Sequence, residues 1–260
     1  MAPLPGYKLA QRFAAGETVF TGWCGLPALI ILETVAREGF VAVTIDQQHA
    51  LWDTAATVNG IAAIRQGGAS PIVRVPLNAF DTASRVLDFG AEGVIAPMIN
   101  TVEDAKAFVS ATKYPPLGER SWGPTRAMTL AGIPDGKTYL KDANANVVTI
   151  AMIETQQALD NVDAIAAVPG IDVLFVGPSD LSIALTNGAE LDPHSAKVDA
   201  GCEKVIAAAK KAGKIPGLYC VNAERALQTA KRGMRFLAVG SDLGMLRAGV
   251  AAQIKTLKAG

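Results

Sequence analysis

Two kinds of segment alternate along this chain. Short β-branched apolar runs, such as residues 147–153 and 173–176, are followed by segments whose apolar residues recur at helical spacing. We count eight such pairs of strand and helix. Because a helix carries each crossover, the strands should be parallel. The alternation over 260 residues predicts an α/β fold, a (β/α)8 TIM barrel that occupies residues 1–260 as one domain.

The predicted bounds follow from this pattern. The strands are expected at residues 18–25, 41–46, 71–76, 93–99, 147–153, 173–176, 215–220 and 236–239. The helices are expected at residues 7–15, where the helix caps the barrel bottom, 27–39, 54–66, 79–89, 101–112, between the fifth and sixth strands, 195–212, 223–231 and from the GSDLG segment to about 257.

Residues 113–145 interrupt the alternation. The segment is rich in Gly and Pro, contains GERSWGPTRAMTLAG and shows no clean period. Long connections in compact domains are usually functional. Arg120 and Arg126 in this segment are expected either to reach over the barrel mouth or to be ordinary solvated loop residues.

The composition of the chain limits the kinds of molecule that it is expected to bind. Half of the residues are hydrophobic, 18% are charged and the formal net charge is zero, which is consistent with a surface that is partly buried between subunits. Lys and Arg do not cluster, which argues against nucleic acid or an anionic membrane as a partner. No apolar run approaches the roughly 20 residues of a membrane span. The scattered cysteines Cys24, Cys202 and Cys220 and the lack of a signal-peptide core in MAPLPGYKLAQRF favour the cytoplasm.

Two carboxylates are expected on one rim of the barrel. Glu154 follows the fifth predicted strand and Asp180 follows the sixth, and the carboxyl ends of parallel strands carry the active sites of such folds. Two carboxylates repel each other unless a cation or a proton holds them together. Their oxygen atoms suit Mg²⁺ or Mn²⁺ better than Zn²⁺. Alternatively, Asp180 caps a helix and Glu154 pairs with an arginine. The turn Gly177-Pro178-Ser179 is expected to present amide groups to a carboxylate or a phosphate.

Further candidates lie after the second and third strands. His49 is predicted to act as a general base, oriented by Asp46 or Asp88, or else to be a surface histidine. Arg74 lies inside an apolar strand, where a guanidinium needs an anion. That anion is expected to be Glu154 or a substrate oxygen that gains charge during reaction. No predicted strand ends on a lysine, which argues against a Schiff-base mechanism.

Seven motifs together resemble the HpcH/HpaI aldolase family of class II pyruvate-dependent aldolases, and the resemblance covers nearly the whole chain. The motifs are Gly22-Trp23, the Asp46-x-x-His49 turn, Arg74-Val75-Pro76, GAEGVIAPMI at 90–99, GERSWGPTRA, Ile153-Glu154-Thr155 and FVGPSDLS at 175–182. The pair formed by the last two motifs is specific, whereas either of them alone would be weak.

The resemblance implies a metal-dependent barrel. Glu154 and Asp180 would bind Mg²⁺, Mn²⁺ or Co²⁺, and a 2-oxo acid such as pyruvate or hydroxypyruvate would chelate that ion. Backbone amides of the 177–180 turn would hold the substrate carboxylate. Arg74 would stabilise the enolate, and His49 would transfer protons with the help of Asp88 or Asp46. Addition of the enolate to an aldehyde would give a 4-hydroxy-2-oxo acid.

The resemblance also concerns the pocket and the assembly. Trp23 would line the pocket and Met152 would form its floor, and we also assign Leu218 to substrate binding. Two positions depart from the family pattern, because Gln48 replaces a common glutamate and Met152 a common glutamine. The family implies a homo-oligomer, a hexamer or a trimer, in which the last helix is exchanged between neighbours and part of each site comes from an adjacent subunit.

Two other functions compete with the aldolase. The first is an acyl-CoA lyase like the citrate lyase β-subunit, which would need a basic groove for the CoA phosphates. The second is a non-catalytic barrel that serves as a scaffold, in which the two carboxylates would be structural.

Overall fold

The computed structural model of this protein describes residues 4–259. Eight parallel strands close into a barrel in which each strand pairs with the next along the chain and the last pairs with the first. The strands are β1 Val19–Cys24, β2 Ala42–Asp46, β3 Ser70–Arg74, β4 Gly93–Ala96, β5 Val148–Ile153, β6 Val173–Val176, β7 Ile215–Cys220 and β8 Phe236–Val239. The predicted (β/α)8 barrel is therefore confirmed.

Helices surround the barrel. They are α1 Leu9–Ala14, α2 Leu29–Arg37, α3 Thr54–Gln66, α4 Phe80–Asp88, α5 Val102–Thr112, α6 Thr125–Ala131, α7 Gly136–Asn146, α8 Gln156–Asp160, α9 Val162–Ala166, α10 Pro178–Leu185, α11 Ala196–Ala212, α12 Ala223–Arg232 and α13 Asp242–Ala259. Helix α5 begins with a reciprocal capping box, which Thr101 and Asp104 form. Within residues 4–259, every helix lacks the length or the apolar character needed to cross a membrane.

Side chains of each strand alternate between the barrel interior and the helix layer. The interior is packed because small residues on one strand make room for rings on its neighbours. At Gly217, a Cβ atom would lie 2.8 Å from the carbonyl oxygen of Phe236 and 2.9 Å from the ring of Phe175. The rings of Phe175 and Phe236 are 5.3 Å apart at their centroids and fill this space. The barrel is thus closed internally below its mouth.

The bottom of the barrel is closed by α1, close to the predicted helix at 7–15. Leu9 is fully buried and belongs to the interior cluster. The carboxylate of Glu92 accepts hydrogen bonds from the amides of Lys8 (2.7 Å) and Leu9 (2.8 Å) and from the hydroxyl of Ser70 (2.8 Å). Glu92 therefore ties the start of α1 to the amino ends of two strands.

Residues 113–145 differ from the prediction. The segment holds two helices, α6 and α7, where the sequence shows no clean period. Helix α6 ends at Gly132, which has a φ of 67°, and Asp135 caps α7 by accepting hydrogen bonds from the amides of Lys137 and Thr138. Helix α6 has only seven residues, and the buried face of α7 includes the polar residues Asp142 and Asn146, so neither helix shows a clear apolar stripe in the sequence.

The start of this segment is anchored at the bottom of the barrel, away from the mouth. The Lys113 side chain is only 1% exposed, and its Nζ donates to the carbonyl oxygens of Asn144 and Val147 and to Asp172 at 2.9 Å. Val147 and Asp172 immediately precede β5 and β6. Lys113 therefore holds the amino ends of two neighbouring strands together.

We expect Lys113→Met to lower the free energy of unfolding by about 2–3 kcal/mol, because it leaves two buried carbonyls and one carboxylate without their charged donor. Lys210→Met, on the exposed face of α11, is the matched control and should change stability by less than about 0.5 kcal/mol. Urea denaturation measures both values. Equal effects of the two substitutions would contradict the anchoring role.

Candidate active site

A cavity of about 470 Å³ opens at the carboxyl ends of the strands. In (β/α)8 barrels this is the face at which active sites form. Most of the predicted site residues line it, namely Trp23, Asp46, His49, Arg74, Met152, Gly177, Pro178, Ser179 and Asp180. No lysine lines this cavity in the described part of the chain.

Arg74 and Asp46 form a bidentate ion pair at the cavity wall. They are the last residues of β3 and β2 and lie side by side in the register of the two strands. Arg74 Nε lies 2.9 Å from Asp46 Oδ1 and Nη2 lies 2.7 Å from Oδ2, with side chains 10% and 7% exposed. The expectation that Glu154 is the buried partner of Arg74 is therefore wrong, because strand register gives it Asp46. A contact between Arg74 and a substrate oxygen stays a prediction.

Trp23 completes this unit. Its indole N–H donates to Asp46 Oδ2 at 3.3 Å, and the guanidinium carbon of Arg74 lies 4.8 Å from the centroid of its ring. Burial by itself would raise the pKa of Asp46, but the hydrogen bonds and charge of Arg74, with the amides of His49 and Gln48, outweigh burial and lower it. Asp46 thus stays ionised and holds the guanidinium in one orientation. Within residues 4–259, Nη1 of Arg74 makes no hydrogen bond and is available to a ligand.

Glu154 lies directly after β5 and is 2% exposed. Its Oε1 accepts a hydrogen bond from the amide of Met98 at 2.8 Å, and Met98 has a φ of 53°. Its Oε2 is buried and has no hydrogen-bond partner among the described residues. A Cβ atom at Gly177 would lie 2.2 Å from that oxygen. Glycine at position 177 is therefore required for the carboxylate to occupy this place.

Burial raises the pKa of Glu154 to about 7. The amide of Met98 and the charge of Arg74 lower it, whereas the charge of Asp180 raises it further. Asp180 lies in the first turn of α10 and lines the cavity. The structure therefore brings the two predicted carboxylates into one electrostatic environment. Neither alternative holds within residues 4–259, since no arginine hydrogen-bonds to Glu154 and Asp180 does not cap its helix.

Helix α10 begins at this carboxylate pair. Gly177 is its N-cap residue, Pro178 is its first residue, and no side chain caps its first turn. The amides of Ser179 and Asp180 thus lack a side-chain acceptor at a helix end that carries partial positive charge. Both residues line the cavity, and the binding of a carboxylate at this turn stays a prediction.

His49 lies at the cavity rim and is exposed. Its backbone amide donates to Asp46 Oδ1 at 3.3 Å, but its ring makes no hydrogen bond within residues 4–259. The expectation that Asp46 orients the imidazole is wrong, because Arg74 and Trp23 occupy that carboxylate. The ring is therefore free to contact a ligand.

Asp88 is not near His49 within this chain. The expectation that Asp88 orients the imidazole of His49 is therefore wrong for a single chain. It is the last residue of α4, and a helix that follows a strand returns the chain to the opposite end of the barrel. There its Oδ1 accepts a hydrogen bond from Arg120 Nη2 at 2.6 Å. The guanidinium of Arg120 also lies 4.7 Å from the ring centroid of Tyr114.

Neither arginine of the long segment reaches over the mouth of its own barrel. The Arg120 side chain is fully buried beside Asp88. Arg126 Nη2 lies 3.4 Å from the carbonyl oxygen of Val58, on α3. The expectation that they extend over the cavity is therefore wrong for a single chain, because the segment packs against the outside of the helix layer.

Leu218 is not a pocket residue, and its neighbour Tyr219 is. Leu218 is 1% exposed and packs between the barrel and the helices. Tyr219 points inward and lines the cavity, with its ring 5.4 Å from that of Trp23 in an edge-on arrangement. The period-two alternation along β7, in which Gly217 faces the interior, would have identified Tyr219.

Asp242 is a second residue that the sequence left without a role in the site. It is 5% exposed and accepts hydrogen bonds from the amides of Gly25 (3.0 Å), Leu26 (2.9 Å) and Leu243 (2.8 Å). These bonds hold the loop after β1 against the start of α13. Asp242 therefore shapes the cavity wall.

Comparison with known protein families identifies the family of this chain. The family model described as HpcH/HpaI aldolase/citrate lyase matches residues 22–248. The chain belongs to this family. The resemblance inferred from the motifs is thus confirmed.

Three relatives illustrate the similarity. The chain is 38% identical over 241 residues to a hydroxypyruvate/pyruvate aldolase of Rhizorhabdus wittichii, covering 93% of this chain and 94% of the relative. It is 34% identical over 253 residues to a 5-keto-4-deoxy-D-glucarate aldolase of Salmonella arizonae, covering 96% of each. The crystal structure of an HpcH/HpaI aldolase from Desulfitobacterium hafniense superposes with a TM-score of 0.88 at 28% identity and 96% coverage of each chain. The family member described here is an aldolase, a carbon–carbon lyase.

The raised pKa of Glu154 predicts how stability depends on pH. The folded protein keeps this proton up to about pH 7, whereas the unfolded chain releases it near its ordinary value of 4.5. The free energy of unfolding should therefore fall as the pH rises through this window, by at most about 3 kcal/mol. Glu154→Gln should remove this part of the pH dependence. Urea denaturation between pH 4.5 and 8, in buffer with a chelator, measures it.

Glu190→Gln, at an exposed position, is the matched control and should keep the wild-type pH dependence. A wild-type pH profile parallel to that of Glu154→Gln would contradict the assignment of the buried proton to Glu154.

Proposed function

We propose that this aldolase catalyses the reversible addition of a 2-oxo acid enolate, from pyruvate or a related acid such as hydroxypyruvate, to an aldehyde. The enolate would form with the help of a divalent cation bound at Glu154 and Asp180. The observation that carries this proposal is the buried Oε2 atom of Glu154, which lacks a partner among the described residues although Asp180 lies close by. A buried carboxylate oxygen without a donor is costly unless a proton or a cation satisfies it.

The donor set fits a hard cation. No group of three or more His, Cys, Asp or Glu side chains with metal-binding geometry occurs in residues 4–259, so the protein would supply two carboxylates. Mg²⁺ is commonly held by one or two carboxylates, with water and substrate oxygens in its other positions. Mg²⁺, Mn²⁺ and Co²⁺ are our candidates. A divalent cation supplies positive charge to the keto oxygen of a bound 2-oxo acid.

The protein's own groups would hold the substrate around this position. The uncapped first turn of α10, with the amides of Ser179 and Asp180, would bind the substrate carboxylate. Nη1 of Arg74, whose orientation the ion pair with Asp46 sets, would donate to the keto oxygen as it gains negative charge. Since no lysine of the described chain lines the cavity, no amine is present there to form a Schiff base.

Proton transfer is assigned to His49. Its ring lies at the cavity rim without a competing partner in the described chain, and imidazole is the side chain that most often serves as a general acid or base. It would move a proton between the aldol hydroxyl or the methyl group and solvent, directly or through a water molecule. Trp23 and Met152 would form the walls that exclude bulk water around the reacting carbons.

We further propose that the chain assembles as a homo-oligomer, a hexamer or a trimer, through α13. This helix presents apolar side chains to solvent in the isolated chain, with Leu246 55%, Val250 54% and Leu257 76% exposed. Apolar surface of this extent on one helix is a mark of an interface. Exchange of α13 between neighbours would bury it.

Chelation tests the proposed mechanism. Exhaustive treatment with EDTA should abolish exchange of the pyruvate methyl protons with D₂O, followed by NMR, and Mg²⁺, Mn²⁺ or Co²⁺ should restore it. Calorimetric titration with Mn²⁺ should show binding to the wild type and at least about tenfold weaker binding to Glu154→Gln. Asp160→Asn removes an exposed carboxylate and is the control. Full exchange after chelation would exclude the mechanism.

Substitution of Arg74 tests enolate stabilisation. Arg74→Lys keeps the charge but cannot bond Asp46 through two nitrogens and also present a third to the substrate. We expect it, like Arg74→Ala, to slow methyl proton exchange about 10²–10³-fold while Mn²⁺ still binds. Arg126→Lys, on the outer surface, is the control. Near-normal exchange in folded Arg74→Lys would show that Arg74 does not stabilise the enolate.

A further inference from the structure

Tyr219 forms the cavity wall next to the turn that would bind the substrate carboxylate. In the register of β6 and β7, Val176 pairs with Leu218, so Gly177 and Tyr219 are the next neighbours toward the mouth. Tyr219 lines the cavity and packs edge-on against Trp23. A molecule that approaches the reacting carbon from this side of the mouth therefore meets the tyrosine ring.

The hydroxyl group of Tyr219 donates its proton in one defined direction. It lies 3.2 Å from the carbonyl oxygen of Gly240, and because a carbonyl can only accept, the hydroxyl proton is committed to that bond. Gly240 has a φ of 59° and belongs to the turn after β8. The next two residues, Ser241 and Asp242, line the same cavity. The phenol oxygen is therefore held beside the turn after β8 with its proton already used, and it can still accept a hydrogen bond.

The cavity that Tyr219 lines has both charged and apolar walls. Leu26, Leu51 and Leu243 form apolar parts of it, and Asp46, Arg74 and Asp242 form charged parts. Apolar walls accept an alkyl aldehyde and a hydroxylated aldehyde nearly equally well, whereas one oriented hydrogen-bond acceptor distinguishes them. The acceptor at Tyr219 is suited to a ligand that donates a hydroxyl proton.

We infer that the Tyr219 hydroxyl is a specificity-determining group that accepts a hydrogen bond from a hydroxyl of the acceptor aldehyde, and that it favours hydroxylated aldehydes over alkyl aldehydes of the same size. This inference rests on the proposed aldol reaction. It names one residue of this chain, Tyr219, as the group that selects the aldehyde.

The test compares two aldehydes of similar size, glycolaldehyde and propionaldehyde, with saturating pyruvate and Mg²⁺. The measured quantity is the ratio of kcat/KM for the two aldehydes, determined for the wild type and for Tyr219→Phe. Comparing the same ratio between enzymes cancels the different intrinsic reactivities of the aldehydes. Because Phe keeps the ring against Trp23, we expect the ratio to fall roughly three- to tenfold through loss of one neutral hydrogen bond.

Tyr114→Phe is the matched control, because it removes a tyrosine hydroxyl that has no hydrogen-bond partner in the described structure and lies outside the cavity. It should leave the ratio unchanged. A ratio that stays at the wild-type value in Tyr219→Phe, or that falls equally in Tyr114→Phe, would overturn the inference. Methyl proton exchange of pyruvate by the wild type tests the proposed function separately, since that step needs no aldehyde.

Discussion

The desolvation of one carboxylate oxygen determines the character of this site. Glu154 lies at the end of a buried strand, and one of its oxygens has a donor while the other has none among the described residues. Burial and the neighbouring Asp180 raise the pKa of Glu154 into the neutral range. A group in this state binds a proton or a cation at physiological pH, and the two compete. The family's aldolase chemistry is consistent with the cation as the working partner.

Arg74, the second charged group of the site, has a partner for its charge where Glu154 lacks one. Arg74 is also nearly buried, but its partner Asp46 is supplied by the adjacent strand and is reinforced by the indole of Trp23. Asp46 is therefore a positioning residue that keeps the guanidinium charged and immobile. Preorganised charge of this kind stabilises an oxyanion without the cost of reorienting dipoles during the reaction. Arg74, which is paired, gives the site one fixed positive charge. Glu154, which has one oxygen without a partner among the described residues, gives it one open ligand position.

The cavity wall combines apolar and polar surface. Met152 and Trp23 provide apolar surface in the cavity, and Tyr219 adds one oriented oxygen beside the turn of Gly240. Asp242 accepts amide hydrogen bonds from the loop after β1 and so sets the width of the mouth on that side. Residues of a neighbouring subunit would complete the mouth if α13 is exchanged as we propose.

The sequence by itself determined the barrel and most of the groups at its mouth. Alternating strands and helices leave one fold at this length, and a carboxylate directly after a strand, such as Glu154, can lie only on the carboxyl rim. Pairings between distant residues were decided by the tertiary structure. Strand register joined Arg74 to Asp46, and the return path of α4 carried Asp88 to the far end, where Arg120 meets it. Inward or outward orientation separated Tyr219 from Leu218. These outcomes depend on which elements become neighbours, and that information is carried by packing and register because local spacing does not contain it.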